Sequence, residues 1–246
     1  MKDFRLRNDT VLLLRNEPVN DIMGFAEGKK VLFVYGGESA HRNGCYEDVK
    51  KAVSAGSGEL FELGGASIMD CAKLIEFGAF HREDLWDYVK GKKNPYGEKK
   101  LPLILMPTYP SSGSEYGLGA VSSDERTNDF GTAFGIPADA AILVPKYSLS
   151  LDAEMTAYTG LVTLVQLSAS TIGDKNPVTY DAGVSVIKNV LKAAKRLKEE
   201  PNDLDARGNC LNRSALICTL TVNCRRKLLA GLQQVPVYHR MSCMKF

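Results

Sequence analysis

A strand-like run that stops at paired glycines narrows the possible folds of this chain more than its composition does. Residues 59–63 are largely apolar, Gly64 and Gly65 follow, and a helical pattern begins at Ser67. Glycines lack a Cβ and let a backbone approach a pyrophosphate closely, and the free N–H groups of the next helix point at such an anion. The pattern predicts a phosphate-binding turn. Taken alone, it is equally compatible with a tight connection in which the glycines serve only geometry.

Two further turns of the same kind strengthen this interpretation. The apolar run 31–35 is followed by Gly36-Gly37-Glu38-Ser39, and the run 101–106 is followed by the small, polar loop 107–115. Helical patterns lie between the runs, at residues 45–55, 67–77 and 83–89, so we expect parallel strands joined by crossover helices. Residues 118–122 and 140–144 are predicted to be strands that flank residues 130–136 in a hairpin at the edge of the domain.

The motifs together resemble a known family. The string Gly-Gly-x-Ser-x-x-Asp-x-Ala-Lys at 64–73 and the string Pro-Thr-x-x-x-Ser-Gly-Ser-Glu at 107–115 are similar to those of the iron-containing (group III) alcohol dehydrogenases, in the butanol-dehydrogenase-like branch. The resemblance covers roughly residues 1–207. It implies an α/β fold, with a Rossmann-like dinucleotide-binding domain of the dehydroquinate-synthase type followed by a truncated all-α domain. It also implies an NAD(P)-dependent oxidoreductase acting on a small alcohol or aldehyde.

The resemblance assigns roles to specific residues. It places a pyrophosphate against the backbone around Gly64, Gly65 and Ser67, with Asp70 in the same motif. It places the nicotinamide ribose and phosphates beside Thr108 and residues 111–114. The full set of expected cofactor-binding residues is Gly36, Gly37, Glu38, Ser39, Gly64, Gly65, Ser67, Asp70, Thr108, Ser111, Ser112 and Ser114.

Glu38 bears on the choice of cofactor. In the family, the turn after the first strand of the domain meets the adenosine ribose. A carboxylate there accepts hydrogen bonds from the two ribose hydroxyls and repels a 2′-phosphate, so it favours NAD over NADP. A solvated glutamate at a turn is an equally good interpretation of the same residue.

The metal site is where the sequence departs from the family. Its members bind a divalent ion through an Asp and a His four residues later on the first helix of the helical domain, and through two further His residues. Here Thr163 and Leu167 occupy the first two positions, and neither is a competent ligand for iron or zinc. We therefore expect no bound metal and name no catalytic residue. Impaired activity is expected, and the alternative is a catalytically silent nucleotide-binding or interface protein.

The predicted domain organisation has three parts. Residues 1–148 form the dinucleotide-binding domain, in which one βαβ element seen in the family is missing between residue 63 and the glycine turn. Residues 149–207 form a remnant of the helical domain, with helices at 152–168 and 181–199. Loss of a central strand and its helix strips apolar cover from the neighbours, so we expect the chain to self-associate.

Residues 208–246 differ from the rest in composition. No acidic residue follows Asp205, whereas seven Lys and Arg residues do. Cys218, Cys224, His239 and Cys243 can be drawn as a zinc site beside the basic run 225–227, but the spacing is wider than usual and nucleic-acid binding is not favoured. The favoured hypothesis is an out-of-frame ending with a poorly folded terminus.

Composition bounds the location. No apolar run approaches the roughly 20 residues of a membrane span, and no export signal precedes the first strand. Six cysteines in a chain of 246 residues without such a signal do not predict a disulfide framework. We therefore expect a cytoplasmic protein with no membrane contact.

Overall fold

The computed structural model describes residues 8–64, 68–124, 127, 129–172 and 177–220. Its first part alternates strands with helices and short helical turns. In chain order these elements are β1 (Val11–Leu14), α1 (Val19–Ala26), β2 (Lys30–Tyr35), α2 (Ser39–Arg42), α3 (Cys45–Ala55), β3 (Glu59–Gly64), α4 (Ile68–Gly78), α5 (Trp86–Val89), β4 (Ile104–Leu105), β5 (Gly119–Asp124), β6 (Asp129–Phe134) and β7 (Ala140–Leu143).

The described strands form three sheets. β7 lies between β1 and β4, with Ala140 opposite both Val11 and Ile104, and both pairings are parallel. β2 and β3 form a separate parallel pair, and β5 and β6 form an antiparallel hairpin. Among the described residues, no ladder joins β2 or β3 to the three-stranded sheet. This division agrees with the predicted loss of a βαβ element, which remains a prediction.

The predicted hairpin partner of residues 118–122 is wrong. β5 pairs with β6, whereas residues 140–143 lie in the centre of the parallel sheet. All four side chains of β7 are fully buried, which is typical of a strand covered on both faces. The short run 11–14, which the sequence patterns did not identify as a strand, supplies one of its neighbours.

One core holds both parallel ladders. Ile22 of α1 and Val49 and Val53 of α3 pack with Ile142 of β7, and residues of β1, β2, β3 and β4 pack around this cluster. The helices thus cover one face of both sheets. Ala72 of α4 contacts Leu105 of β4 and Val34 of β2, so α4 also reaches both ladders.

A helical region follows. A 3₁₀ segment, Pro145–Ser150, leads into α6 (Ala153–Ile172), α7 (Pro177–Glu199) and α8 (Leu204–Leu220). α7 begins four residues before its predicted start, at a proline whose fixed φ suits a first helical position. None of the described helices has the length and apolar character that crossing a bilayer requires.

The helix α8 passes through Arg207 and Gly208 without a break. The Arg207 guanidinium donates to the carbonyls of Pro201 and Ser148, and Leu211 and Ala215 are fully buried against Leu143 of β7. The hypothesis of a poorly folded terminus from Gly208 onward is therefore wrong for residues 208–215. The domain boundaries remain predictions, and Cys224, His239, Cys243 and the basic run 225–227 lie outside the described residues.

Candidate functional site

The ends of β2 and β3 lie side by side. In the β2–β3 pair Tyr35 is opposite Gly64, so the chain leaves both strands at the same edge. The turn Gly36-Gly37-Glu38-Ser39 follows β2 at this edge. Gly65 and Ser67 lie outside the described residues, and Gly64 is the last residue of β3.

The turn after β2 is open to solvent. Gly37 has a φ of 48°, which favours glycine, and a Cβ added there meets nothing within 4 Å. The Ser39 hydroxyl donates to the Gly36 carbonyl at 2.8 Å, which closes the turn on itself. Glu38 is exposed at the start of α2. Its position leaves the carboxylate accessible to a ligand from solvent.

Asp70 and Ser114 come together, although 44 positions separate them. The Ser114 hydroxyl donates to one carboxylate oxygen of Asp70 at 2.5 Å, and the Val121 N–H donates to the other at 3.1 Å. The first turn of α4 is thereby joined to the loop 107–115 and to β5. Both oxygens of Asp70 are occupied by groups of the protein.

Lys73 is a buried cation that the sequence analysis missed. Its side chain is fully buried, and its ammonium donates to the carbonyls of Ser114, Gly117 and Gly119 at 2.6, 2.7 and 3.0 Å. An ammonium has three N–H donors, so these carbonyls match its capacity. A Lys one turn after Asp70, on a helix with an apolar buried face, was the available signal. Lys73 was included in the motif at 64–73, but no role was predicted for it.

The remaining predicted residues lie along the same loop. Thr108, Ser111 and Ser112 are half-buried. Gly113, with a φ of 73°, begins the 3₁₀ turn Ser114–Tyr116. α4 therefore holds this loop through hydrogen bonds, while several small side chains of the loop remain partly exposed to solvent.

The two positions assigned to metal ligands lie on α6 and are buried. The Thr163 hydroxyl donates to the Thr159 carbonyl at 3.1 Å and lies 3.5 Å from the Ser111 carbonyl. Leu167 packs against Val190 of α7 in an apolar cluster. Among the described residues, no group of three or more His, Cys, Asp or Glu side chains converges in a way that suits an ion. The residues at these positions do not fit the family's metal.

A further acidic residue of α4, Glu76, is buried beside the segment before β4. Its carboxylate lies 3.6 Å from the Lys100 ammonium, and its backbone carbonyl accepts from the Leu101 N–H. Burial raises the pKa of Glu76 to about 8, with Lys100 opposing the shift. Burial thus favours the neutral form of this side chain.

Comparisons with known proteins agree with the motifs. Residues 62–145 match the family model for iron-containing alcohol dehydrogenase. The chain is 25% identical over 226 residues to NADH-dependent butanol dehydrogenase A of Clostridium acetobutylicum, covering 77% of this chain and 57% of the relative. It is 31% identical over 176 residues to long-chain-alcohol dehydrogenase 1 of Geobacillus thermodenitrificans, covering 69% and 45%. The chain thus spans about half the length of the curated relatives it matches.

The fold comparison gives the same architecture. The crystal structure of NADH-dependent butanol dehydrogenase A from Thermotoga maritima superposes with a TM-score of 0.82 at 23% identity, over 91% of this chain and 65% of the other. The shared fold is the α/β domain followed by helices. Residues 62–145 thus match the iron-containing alcohol dehydrogenase family, and the chain is similar in sequence to butanol dehydrogenases.

Proposed function

We propose that this chain binds NAD(H) at the edge formed by the turns after β2 and β3 and by the loop 107–115. The observation that carries the proposal is the hydrogen bond between Asp70 and Ser114, because it joins two of the predicted cofactor motifs. The parallel register that sets Tyr35 opposite Gly64 supports it, since it brings the third motif to the same edge as the glycine pair. The relatives named as NADH-dependent support the choice of cofactor.

Within this proposal Glu38 selects NAD(H) over NADP(H). The side chain is exposed at the end of the open Gly36-Gly37 turn, where it can accept hydrogen bonds from two ribose hydroxyls. A 2′-phosphate at the same place meets like charge. We expect calorimetric titration to give a lower Kd for NADH than for NADPH.

The matched test replaces Glu38 with serine. Glu38→Ser should narrow the gap between the two dissociation constants by about tenfold, the effect of about 1.4 kcal/mol. Glu98→Ser, at another exposed glutamate, should leave the gap unchanged. Tighter binding of NADPH than of NADH by the wild type contradicts this placement of Glu38.

We propose that the ancestral reaction is interconversion of a small alcohol and its aldehyde, impaired in this chain. The family's ion polarises the substrate oxygen and supplies several kcal/mol of transition-state stabilisation. Thr163 and Leu167 do not fit that ion, so we derive no step through it. Butanol oxidation or butanal reduction by the purified chain is expected to be slower by a factor of about a thousand than by a metal-bound relative.

A second candidate function is a catalytically silent nucleotide-binding or interface protein, which self-associates. It is favoured by large apolar side chains that are about half exposed or more on β1, β2, α6 and α7, namely Val11, Leu32, Leu161, Val178 and Leu191. We expect light scattering to detect oligomers or aggregates. A soluble monomer with a sharp two-state melt contradicts self-association and leaves the cofactor proposal intact.

The proposed compartment is the cytoplasm. Cys45, Cys71 and Cys210 are free thiols in the described part of the chain. Thiols persist in reducing compartments, and the thiol of Cys45 is further protected because burial raises its pKa to about 12.

A further inference from the structure

Asp70 stands in a motif assigned to cofactor binding, but its surroundings suit another role. Both carboxylate oxygens accept hydrogen bonds from the protein, one from Ser114 and one from Val121. A carboxylate also repels the phosphates of a dinucleotide. Contact between Asp70 and a phosphate of NAD(H) would therefore bring like charges together, at a carboxylate whose two oxygens already accept hydrogen bonds from the protein.

Lys73 presents the complementary case. Its charge suits a phosphate, but its side chain is fully buried and its three N–H donors are matched by three backbone carbonyls. A phosphate would have to displace these carbonyls from a site without solvent access. The ammonium is thus committed to residues 114–119.

The two side chains act on the same short segment from one turn of α4. Asp70 fixes the hydroxyl of Ser114 and the N–H of Val121, while Lys73 gathers the carbonyls of Ser114, Gly117 and Gly119. Since C=O and N–H of one trans peptide point in opposite directions, a carbonyl drawn toward Lys73 turns the next N–H away from it. The pair therefore sets both the place and the orientation of this segment's polar groups.

We propose that Asp70 and Lys73 are positioning residues, which fix residues 114–121 and thereby hold the end of the loop 107–115 in the conformation that binds NAD(H), without touching the cofactor. The inference rests on the proposed function and refines it. Asp70 becomes a residue that supports the loop instead of one that contacts the cofactor, and Lys73 is added to the supporting residues. Hydrogen bonds to charged groups are among the strongest in proteins, so their loss should loosen the segment selectively.

The test compares four variants with the wild-type chain. Lys73→Met removes the ammonium and keeps a similar length, and Asp70→Asn keeps the size but turns one acceptor into a donor. Lys73→Arg restores charge and donors. Val53→Ala is the control, because Val53 is buried in the core between α3 and the sheets and not at the loop. NADH binding is measured by calorimetry at a temperature where each variant is folded, and amide hydrogen exchange is measured on the apo proteins.

We expect Lys73→Met and Asp70→Asn to raise the Kd for NADH by about tenfold, Lys73→Arg to recover part of this, and Val53→Ala to change it by less than about twofold. In the two loop variants the amides of Tyr116, Gly117 and Val121 should exchange faster than in the control. If Lys73→Met does not fold, Asp70→Asn carries the test.

Two results overturn the inference in different ways. If the wild type binds NADH and both loop variants bind it equally well, the positioning role is wrong and the proposed function stands. If the wild type binds no NADH, the proposed function is wrong and the cofactor role of the pair is lost with it. In that case, faster amide hydrogen exchange at Val121 in the variants would still show that Asp70 and Lys73 stabilise this segment structurally. Unchanged exchange would show that they do not.

Discussion

α4 and α6 both contact the loop 107–115, and they hold it with different chemistry. α4 uses an ionised pair, Asp70 and Lys73, whose hydrogen bonds to the loop and the following strand are mostly short. α6 offers only the Thr163 hydroxyl, 3.5 Å from the Ser111 carbonyl and closer to a carbonyl of its own helix. In the family these helices serve the cofactor and the metal respectively. We propose that the site has two halves, a retained half around α4 that serves the cofactor and an altered half around α6 where the metal ligands are replaced.

The altered half of the site is closely packed. Thr159, Thr163 and Leu167 are almost completely buried along one side of α6. Introducing an Asp and a His at 163 and 167 would therefore place polar groups among apolar neighbours, which costs stability unless an ion binds. In the retained half, Lys73 donates to backbone carbonyls and Asp70 accepts from Ser114 and Val121, so both charges already have hydrogen-bond partners.

The largest effect is expected from the retained half. Lys73→Met should lower the free energy of unfolding by about 3 kcal/mol, because it leaves buried carbonyls without their charged donor. Urea denaturation followed by circular dichroism measures it. Lys51→Met, at an exposed lysine of α3, should change stability by less than about 0.5 kcal/mol. Equal changes in the free energy of unfolding for Lys73→Met and Lys51→Met would contradict the claim that α4 holds the loop through a buried charge.

A second effect, smaller for each unit of pH, is expected from Glu76, one turn beyond Lys73. Its folded pKa, about 8, lies above the ordinary value of 4.5. The folded state thus keeps a proton that the unfolded state releases, and stability falls as pH rises from about 5 to about 8, by about 1 kcal/mol per unit at most. Above that range the contribution is constant.

Chemical denaturation at a series of pH values measures this dependence. Glu76→Gln, which is neutral throughout and of the same shape, should flatten the curve over that interval. Lys100 and Asp139 lie close enough to modulate the slope. A wild-type stability that rises between pH 5.5 and 8 would contradict the assignment, and would point instead to a carboxylate stabilised by Lys100.

The smallest effect is expected from the altered half. Thr163→Val keeps the shape and removes a hydroxyl that bonds back to its own helix, so stability should change by no more than about 0.5 kcal/mol. The Kd for NADH should stay within about twofold. A tenfold loss of NADH affinity would show that α6 contributes to the cofactor site as much as α4 does.

The sequence was informative where a local pattern and its environment agree. The turn after β2 was predictable because a glycine pair directly after an apolar run favours a turn, and α3 was predicted with its observed bounds. The pairing predicted for β7 was wrong, because a run of four apolar residues does not indicate which strand pairs with it. Lys73 was overlooked because its role depends on carbonyls more than 40 positions away. The packing of α8 around Arg207 and Leu211 was missed for the same reason, because it depends on contacts with distant residues. The basic composition of residues 208–246 favoured a poorly folded terminus instead.

The most direct measurement is a calorimetric titration of NADH into the full chain after treatment with EDTA, repeated with added Fe²⁺ or Zn²⁺. If the cofactor half of the site is retained and the metal half is not, NADH binds saturably to the EDTA-treated protein and the added ions leave its Kd unchanged. Absence of binding after EDTA, with affinity restored by either ion, would contradict the account.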